Sequence, residues 1–239
     1  VDEQRIDKAG HPVKADAVIR VDQGNKYVSR GGEKLAGLFD TFKQLSADGR
    51  VAMDIGVSTG GFTDCLLQHG ARHVIGVDVS YGITAMALQK DPRVTLIERC
   101  NARHLERDTV EKALIKNLGD DDARGYIDEI SLVSMDVSFI SIRKVLPAIL
   151  TLSQPGSDYL CLFKPQFEAK REDVPSGGII QDQDLVNDIL ARVKDRCEEL
   201  GLEMLECIPS PIKGSKGNQE YLLWMRQWKT FFRALSPIF

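Results

Sequence analysis

No two of the five cysteines (65, 100, 161, 197 and 207) lie closer than ten positions. That spacing excludes a CxxC zinc or redox motif and argues against a disulfide scaffold. A reducing compartment, the cytoplasm, is the expectation. No apolar run approaches the ~18–20 residues of a membrane helix, and the densest, Tyr159 to Phe163, is far shorter. Positive charge is not in excess: 31 Lys+Arg stand against 35 Asp+Glu, a net charge of −4. This excludes a surface coated with cations, although a local basic patch remains compatible with it. The histidines (11, 69, 73 and 104) read as surface or cap residues, and no metal site is expected. There is no internal repeat and no low-complexity stretch. The chain opens Val1-Asp2-Glu3-Gln4 with neither Met nor a signal peptide, so natural residues are expected upstream.

What is present is a chain of 239 residues, enough for one large domain with a small appendage. Residues 1–22 alternate weakly (Val13, Ala15, Ala17, Ile19, Val21) around the turn Ala9-Gly10-His11-Pro12, which predicts a hairpin. From Ser29 the period changes: Leu35, Leu38, Phe39, Phe42 and Leu45 form the apolar stripe of an amphipathic helix closed by Gly49. Short apolar runs then alternate with helical segments. Strands are expected at 51–55, 73–79, 94–97, 130–136, 158–164, 203–208 and 220–226. Helices are expected at 60–69, 82–90, 106–118, 141–152 and 184–200, and 119–125 reads as a solvated loop. This alternation, with Val/Ile/Leu-rich strands, predicts an α/β fold: a parallel sheet covered on both faces. The last two strands lack an intervening helix, which predicts an antiparallel final pairing.

In such a sheet ligands bind beyond the carboxyl ends of the strands, where the first loop feeds a helix N-terminus. The first strand runs into Asp54-Ile-Gly56-Val-Ser58-Thr59-Gly60-Gly61-Phe62. The second ends at Asp78, placed to accept hydrogen bonds from both ribose hydroxyls of an adenosine cofactor. The alternative is that the glycines form only a tight turn. The order of glycines departs from the G-x-G-x-x-G of dinucleotide sites, and no Lys-Ser/Thr follows them as in a phosphate-binding loop. Asp54 at the loop mouth would repel a pyrophosphate but not the cationic end of S-adenosylmethionine (SAM), so SAM is the expected cofactor. The fourth and fifth expected strands deliver Asp136 and Lys164 to the same edge. A lysine leaving an apolar strand into a cleft loses hydration, which favours its neutral form and suits it to act as a base. The alternative is a structural ion pair at the strand rim.

Five spaced motifs now carry a resemblance: Ser29-Arg30-Gly31-Gly32-Glu33-Lys34-Leu35, Asp54 to Phe62, Asp136-Val-Ser-Phe-Ile, Lys164-Pro-Gln-Phe-Glu and Gly217-Asn-Gln-Glu-Tyr221. Over residues 26–228 the chain resembles the TlyA-type family, whose older name is hemolysin. The resemblance implies a Rossmann-like class I SAM-dependent methyltransferase domain (FtsJ-like) over 26–239, with a seven-stranded, mostly parallel sheet and an antiparallel final strand. It implies that 1–25 is the closing hairpin of an S4-type RNA-binding module. It implies methyl transfer from SAM to a ribose 2′-hydroxyl of ribosomal RNA, with ribosomal subunits as partners, no membrane and no metal. The tetrad carried over by motif is Lys34, Asp136, Lys164 (the base) and Glu220. Cofactor contacts are implied for Asp54, Gly56, Ser58, Thr59, Gly60, Phe62, Asp78, Asn101 and Phe139; separately, the position of Cys100 next to Asn101 leads to the expectation that it lines the adenine pocket. Relatives tend to carry a Lys before, and an Arg after, the paired glycines that follow the fifth strand. Here those positions are Ser176 and Gln181, so this loop lacks those charges.

Local charge completes the reading. From Ile208 to Phe239, Lys213, Lys216, Arg226, Lys229 and Arg233 face Glu220 alone, a balance of +4. Lys26, Arg30 and Lys34 against Glu33 add +2. If Lys34 and Glu220 share a site, both patches border one cleft, and Lys26, Arg30, Lys213 and Lys216 become RNA contacts. The competing reading is a membrane-acting hemolysin, which needs an amphipathic helix or hydrophobic hairpin that the sequence does not display. A binding module that lost catalysis fits the retention of all four tetrad residues less well, and an enzyme methylating a small-molecule hydroxyl would need a lid, of which the sequence displays no sign. Trp224 and Trp228 are expected to pack in the core, and a monomer is compatible with all of this.

Overall fold

Strands that must bury both faces use every side chain as core, and the central strands here do so. A computed structural model describes residues 12–17, 26–214 and 216–228, with all side chains in them except 121, 122 and 124. The elements are α1 (Arg30–Thr41), β1 (Val51–Ile55), α2 (Gly61–Gln68), β2 (His73–Val77), α3 (Met86–Gln89), β3 (Val94–Ile97), α4 (Arg107–Leu118), α5 (Asp120–Asp128), β4 (Ile130–Met135), α6 (Ile142–Leu150), β5 (Asp158–Phe163), α7 (Pro165–Glu168), α8 (Gln183–Glu199), β6 (Leu202–Pro209) and β7 (Tyr221–Gln227).

The seven strands form one sheet in the order β3-β2-β1-β4-β5-β7-β6. All pairings from β3 to β5 are parallel, and β7 lies antiparallel to both neighbours. The side-chain period of two divides the core into layers. Val51, Met53 and Ile55 of β1 join Tyr159, Cys161 and Phe163 of β5 on the face covered by α4, α5, α6 and α8. Ala52, Leu160, Leu162, Leu222 and Trp224 point the other way, to α1 and α2. Each fully buried large apolar side chain contributes about 1.5–3 kcal/mol, which is why unbroken apolar runs specify this sheet.

The seven strands and the antiparallel final pairing follow the sequence-based expectation. Several other expectations need correction. The acidic stretch at 119–125 is not a loop: it opens α5, which buries Ala123 and Ile127 in the core. An aspartate such as Asp120 at a helix N-terminus favours the positive end of its dipole, so acidity here marks a helix start. Helix 82–90 contracts to the single turn α3, because Val79–Ala85 forms a loop containing Gly82 at φ +70°. The first helix ends at Thr41, and Leu45 is buried from the loop beyond it. Trp224 is core, but Trp228 is exposed at the strand end. His73 is buried, hydrogen-bonded to Thr95 at 2.8 Å, and burial pushes its imidazole down to about 4. The expected hairpin over 1–22 lies largely outside the described residues, as do Lys229 and Arg233.

At the edge opposite the strands' carboxyl ends, one carboxylate gathers the sheet. Asp158 accepts hydrogen bonds from Arg50 Nη1 at 2.8 Å, Trp224 Nε1 at 2.9 Å and Arg226 Nη2 at 2.8 Å. It thereby joins β5, β7 and the entry to β1. Asp158→Ala leaves a buried indole N–H and the Arg226 guanidinium without this acceptor and removes one of the several acceptors of Arg50. Because Arg226 reaches water, the expected loss is about 2–3 kcal/mol, less than the ~3–5 kcal/mol of a fully buried pair. Urea denaturation measures it; a loss below about 0.5 kcal/mol would show that Asp158 does not hold these elements.

Candidate active site

Parallel strands β1 and β4 end side by side, so the loop after β1 runs directly against the segment after β4. Asp136 donates its backbone N–H to Ile55 O at 2.9 Å. Gly56, at φ +88°, lies so close that a Cβ there would stand 2.4 Å from the Asp136 carbonyl oxygen. Only glycine meets both demands. Ser58 is also left-handed, at φ +50°, and its N–H donates to Asp78 Oδ2 at 2.7 Å. Asp78 Oδ1 accepts from Ser80 N at 2.8 Å and Ser80 Oγ at 2.5 Å. Asp78 therefore braces the first loop from the end of β2 while keeping acceptor capacity for a ligand.

The loop borders two adjoining chambers that share Gly56, Ser58 and Asp136 as walls. The larger, about 320 Å³, is lined by Asp78, Val79, Ile83, Cys100, Asn101 and Phe139 among others. The smaller, about 200 Å³, lies between the N-termini of α1 and α2 and is lined by Ser29, Arg30, Gly31, Lys34, Thr59 and Phe62 among others. Those two helix ends touch: a Cβ on Gly61 would meet Ser29 Oγ at 2.3 Å and Gly32 N at 2.7 Å. Such a cleft suits an elongated ligand, with apolar and hydrogen-bonding walls at one end and uncapped helix N-termini with cations at the other.

The four residues of the expected tetrad form two ion pairs. Lys34 Nζ lies 2.6 Å from Glu220 Oε2, joining α1 to the start of β7. Lys164 Nζ lies 2.6 Å from Asp136 Oδ1, joining the ends of β5 and β4. That second contact lacks hydrogen-bond angles; Lys164 donates instead to Ser138 Oγ at 2.9 Å. Lys164 is 8% exposed and Glu220 3%, so each charge depends on its partner. Lys34 and Asp136, one from each pair, both line the smaller chamber. Glu220 also depends on Gly214, where a Cβ would stand 2.5 Å from Glu220 Oε1.

The remaining expected residues divide. Gly56, Ser58, Thr59, Phe62, Asp78, Asn101 and Phe139 lie on the chamber walls, as does Cys100. Gly60, at φ +99°, shapes the turn into α2 against Leu88. Phe139 is left-handed at φ +63°, 92% exposed, and its ring centroid is 5.1 Å from that of Phe167. Asp54 is a correction. It is not at the loop mouth but fully buried behind it, accepting from Thr63 Oγ1 at 2.6 Å and Ser134 Oγ at 2.7 Å. It points from β1 toward α2 and β4, because alternate residues of a strand face opposite sides. The charge argument against a pyrophosphate therefore loses its basis, and Asp54 instead holds the loop to α2. The Lys34–Glu220 contact brings the first basic patch to the loop of Lys213 and Lys216, whereas Arg226, expected in the same patch, lies on Asp158 at the opposite edge of the sheet. Lys26 and Arg30 lie exposed at the start of α1, and Lys213 and Lys216 are exposed on the loop leading to Glu220. Sequence reasoning missed Ser29 and Gly31 as chamber walls and Ser138 as the partner of Lys164. Ser138 lies two residues beyond Asp136, within the same motif, and that placement was its signal.

Three comparisons bear on this geometry. The family model FtsJ-like methyltransferase matches residues 27–227. The chain is 40% identical over 219 residues to Hemolysin A of Brachyspira hyodysenteriae, spanning 91% of this chain and 84% of that protein. It is also 40% identical over 218 residues to the 16S/23S rRNA (cytidine-2′-O)-methyltransferase TlyA of Mycobacterium tuberculosis, spanning 91% and 74%. Among solved structures, a putative hemolysin from Lactococcus lactis superposes with a TM-score of 0.75 at 35% identity, covering 85% of this chain and 90% of that one.

Two substitutions test how the site is supported. Burial pushes the Asp54 carboxyl up to about 6 from 3.8. A carboxyl whose folded-state value is raised favours the native state when protonated, and that contribution disappears as pH climbs from about 4 through about 6. Asp54→Asn removes this dependence, so its stability relative to the native protein should rise by up to about 3 kcal/mol between pH 4 and 7. A pH-independent difference in thermal or urea unfolding would contradict the buried carboxyl. Gly214→Ala should displace the Glu220 carboxylate and cost about 1–3 kcal/mol. Gly125→Ala is the control: it lies within α5 with nothing inside 4 Å of its added methyl, and should be neutral or stabilising.

Proposed function

The chain belongs to the FtsJ-like methyltransferase family, and from that membership we propose that it transfers a methyl group from SAM to a ribose 2′-hydroxyl of ribosomal RNA. The observation that carries this reading is the meeting of two lysine–carboxylate pairs, Lys34–Glu220 and Lys164–Asp136, at one two-chambered cleft. The RNA substrate is suggested by the Mycobacterium relative, whose name specifies cytidine 2′-O-methylation of rRNA.

The residues present fit the cofactor. Asp78 and Asn101 would hold the adenosine ribose in the larger chamber, with Val79, Ile83 and Cys100 around the base. Gly56, Ser58, Thr59, Gly60 and Phe62 would follow the chain of the ligand toward the smaller chamber, and Phe139, a wall of the larger chamber, would border the adenosine end rather than the methionine end. When bound, SAM supplies a methyl group already activated on its sulfonium. The protein must therefore orient the 2′-hydroxyl and remove its proton. Lys164 Nζ, held between Asp136 and Ser138, would accept that proton as the methyl carbon passes from sulfur to the 2′-oxygen, the carbon–sulfur bond breaking as the carbon–oxygen bond forms. Lys34 and Glu220 orient the hydroxyl from the opposite wall. Lys26, Arg30, Lys213 and Lys216 hold the phosphates that flank it. Near-attack geometry can supply ~7–11 kcal/mol of the barrier, and proton removal a further ~10²- to 10⁴-fold. This reading implies action in the cytoplasm, where ribosomes are modified.

A second reading, lysis of membranes, is suggested only by hemolysin names among the relatives. Among the described residues no helix is long and apolar enough to cross a membrane. A lytic surface also gives no role to two buried ion pairs at a shared cleft.

Transfer of labelled methyl from SAM to ribosomal RNA, with the product mapped by mass spectrometry, tests the proposal. Lys164→Ala should lose about 10²- to 10⁴-fold in rate while SAM affinity stays within about twofold. Lys164→Arg should fail as well, because a guanidinium does not release its proton at neutral pH. Full activity in either variant would remove Lys164 as the base.

A further inference from the structure

Glu168 belongs to neither ion pair and to neither chamber, yet it is a charged side chain only 1% exposed. A carboxylate taken so far out of water persists only when its oxygens are satisfied. Here they are. Glu168 Oε2 accepts from Ser141 Oγ at 2.5 Å and from Arg143 Nε at 3.2 Å, and Oε1 accepts from the backbone N–H of Ile142 at 2.7 Å. Arg143 Nη2 adds a bond to the Glu168 carbonyl at 2.9 Å. The carboxylate thus caps the N-terminus of α6, where orphan N–H groups and the helix dipole favour an anion. Burial raises the proton affinity of its carboxyl, and these donors oppose that.

The cap connects to the site through the chain on both sides. Glu168 ends the single turn α7, which begins immediately after Lys164. Phe167 N donates to Lys164 O at 2.9 Å, and Pro165 restricts the first residue of the turn. Ser141 ends the segment that begins at Asp136, contains Ser138, and passes through Phe139 in its left-handed conformation. A non-glycine residue with positive φ costs about 1–3 kcal/mol and persists only where its surroundings over-determine it. Lys164 grips this segment at Asp136 and Ser138, and Glu168 grips its far end at Ser141 and Ile142. The two contacts close a ring of short covalent paths: 138–141 on one side and 164–168 on the other. The geometry points to Glu168 as the positioning residue for Lys164, fixing the amine against Asp136 and Ser138 by clamping the loop that carries them.

This inference rests on the proposed role of Lys164 for its catalytic consequence but not for its geometry, so two measurements separate them. The first is the rate of acetylation of Lys164 by acetic anhydride in the full chain, read by mass spectrometry with Lys34 as internal reference. Glu168→Gln keeps the shape but removes the charge facing Arg143. It should speed labelling of Lys164 about fivefold or more, as a locally released amine would, and leave Lys34 unchanged. The second is methyl transfer: the same variant should lose about ten- to a hundredfold in kcat, with the Kd for SAM and the KM for RNA within about twofold. Unchanged labelling of Lys164 overturns the proposal, as does an equal rise at Lys34, which would mark general loosening. A native protein that transfers no methyl defeats the proposed function alone, since labelling still decides the role of Glu168. If Glu168→Gln does not fold, Ser141→Ala removes one of its donors at less cost. A folded Ser141→Ala with native labelling at Lys164 equally overturns it.

Discussion

An ammonium group removed from water needs a carboxylate or an equivalent acceptor beside it, and that requirement holds this site together. Lys164 leaves a strand buried along its whole length and finds Asp136 on the neighbouring strand end. Lys34, on the first helix, finds Glu220 almost at the end of the described chain. Each pair joins elements far apart in sequence: the second spans 186 positions. The surrounding features follow from placing these charges. Gly56 lets the cofactor loop touch the Asp136 backbone, Gly214 leaves room for the Glu220 carboxylate, and Ser138 supplies the acceptor that Asp136 does not offer at a hydrogen-bonding angle.

The same physics separates carboxylates that support from those that face the cleft. Asp54, Asp158 and Glu168 are all buried, all hydrogen-bonded by two or more donors, and all off the chamber walls. Each fastens one place where strands and helices must meet: loop to helix, strand to strand, or turn to helix cap. Asp136 and Asp78 share the chemistry but sit at strand ends beside open space, and they keep capacity for a ligand. Residue type does not distinguish the two groups. The direction in which the strand or turn points each side chain does.

The strands were readable because unbroken apolar runs such as Tyr159 to Phe163 have few other stable fates in a chain of this composition. The lone antiparallel strand was readable from a missing helix. By contrast, α5 was hidden because Gly119 before it and the three aspartates that open it resemble a solvated loop when only their polarity is considered. Its identity depends on Ala123 and Ile127 reaching the core. Trp228 was misjudged for the converse reason: four residues from Trp224, it lies just past the strand end, where the sheet no longer covers it.

Within the site, the sequence by itself determined the chemical inventory. It holds glycines where the backbone must turn, an acid after the second strand, and two lysines and two carboxylates at element ends. Those follow from local rules and from spaced motifs that a linear chain displays directly. Only the tertiary structure decided the pairing: that Lys34 meets Glu220, that Asp54 lies behind the loop, that β7 inserts between β5 and β6, and that Ser29 and Gly31 form a wall of the smaller chamber. The physical reason is range. Turns and caps are set by a few neighbouring residues, whereas a buried ion pair is set by whichever strand ends the sheet brings together, and strand order is a property of the packed whole.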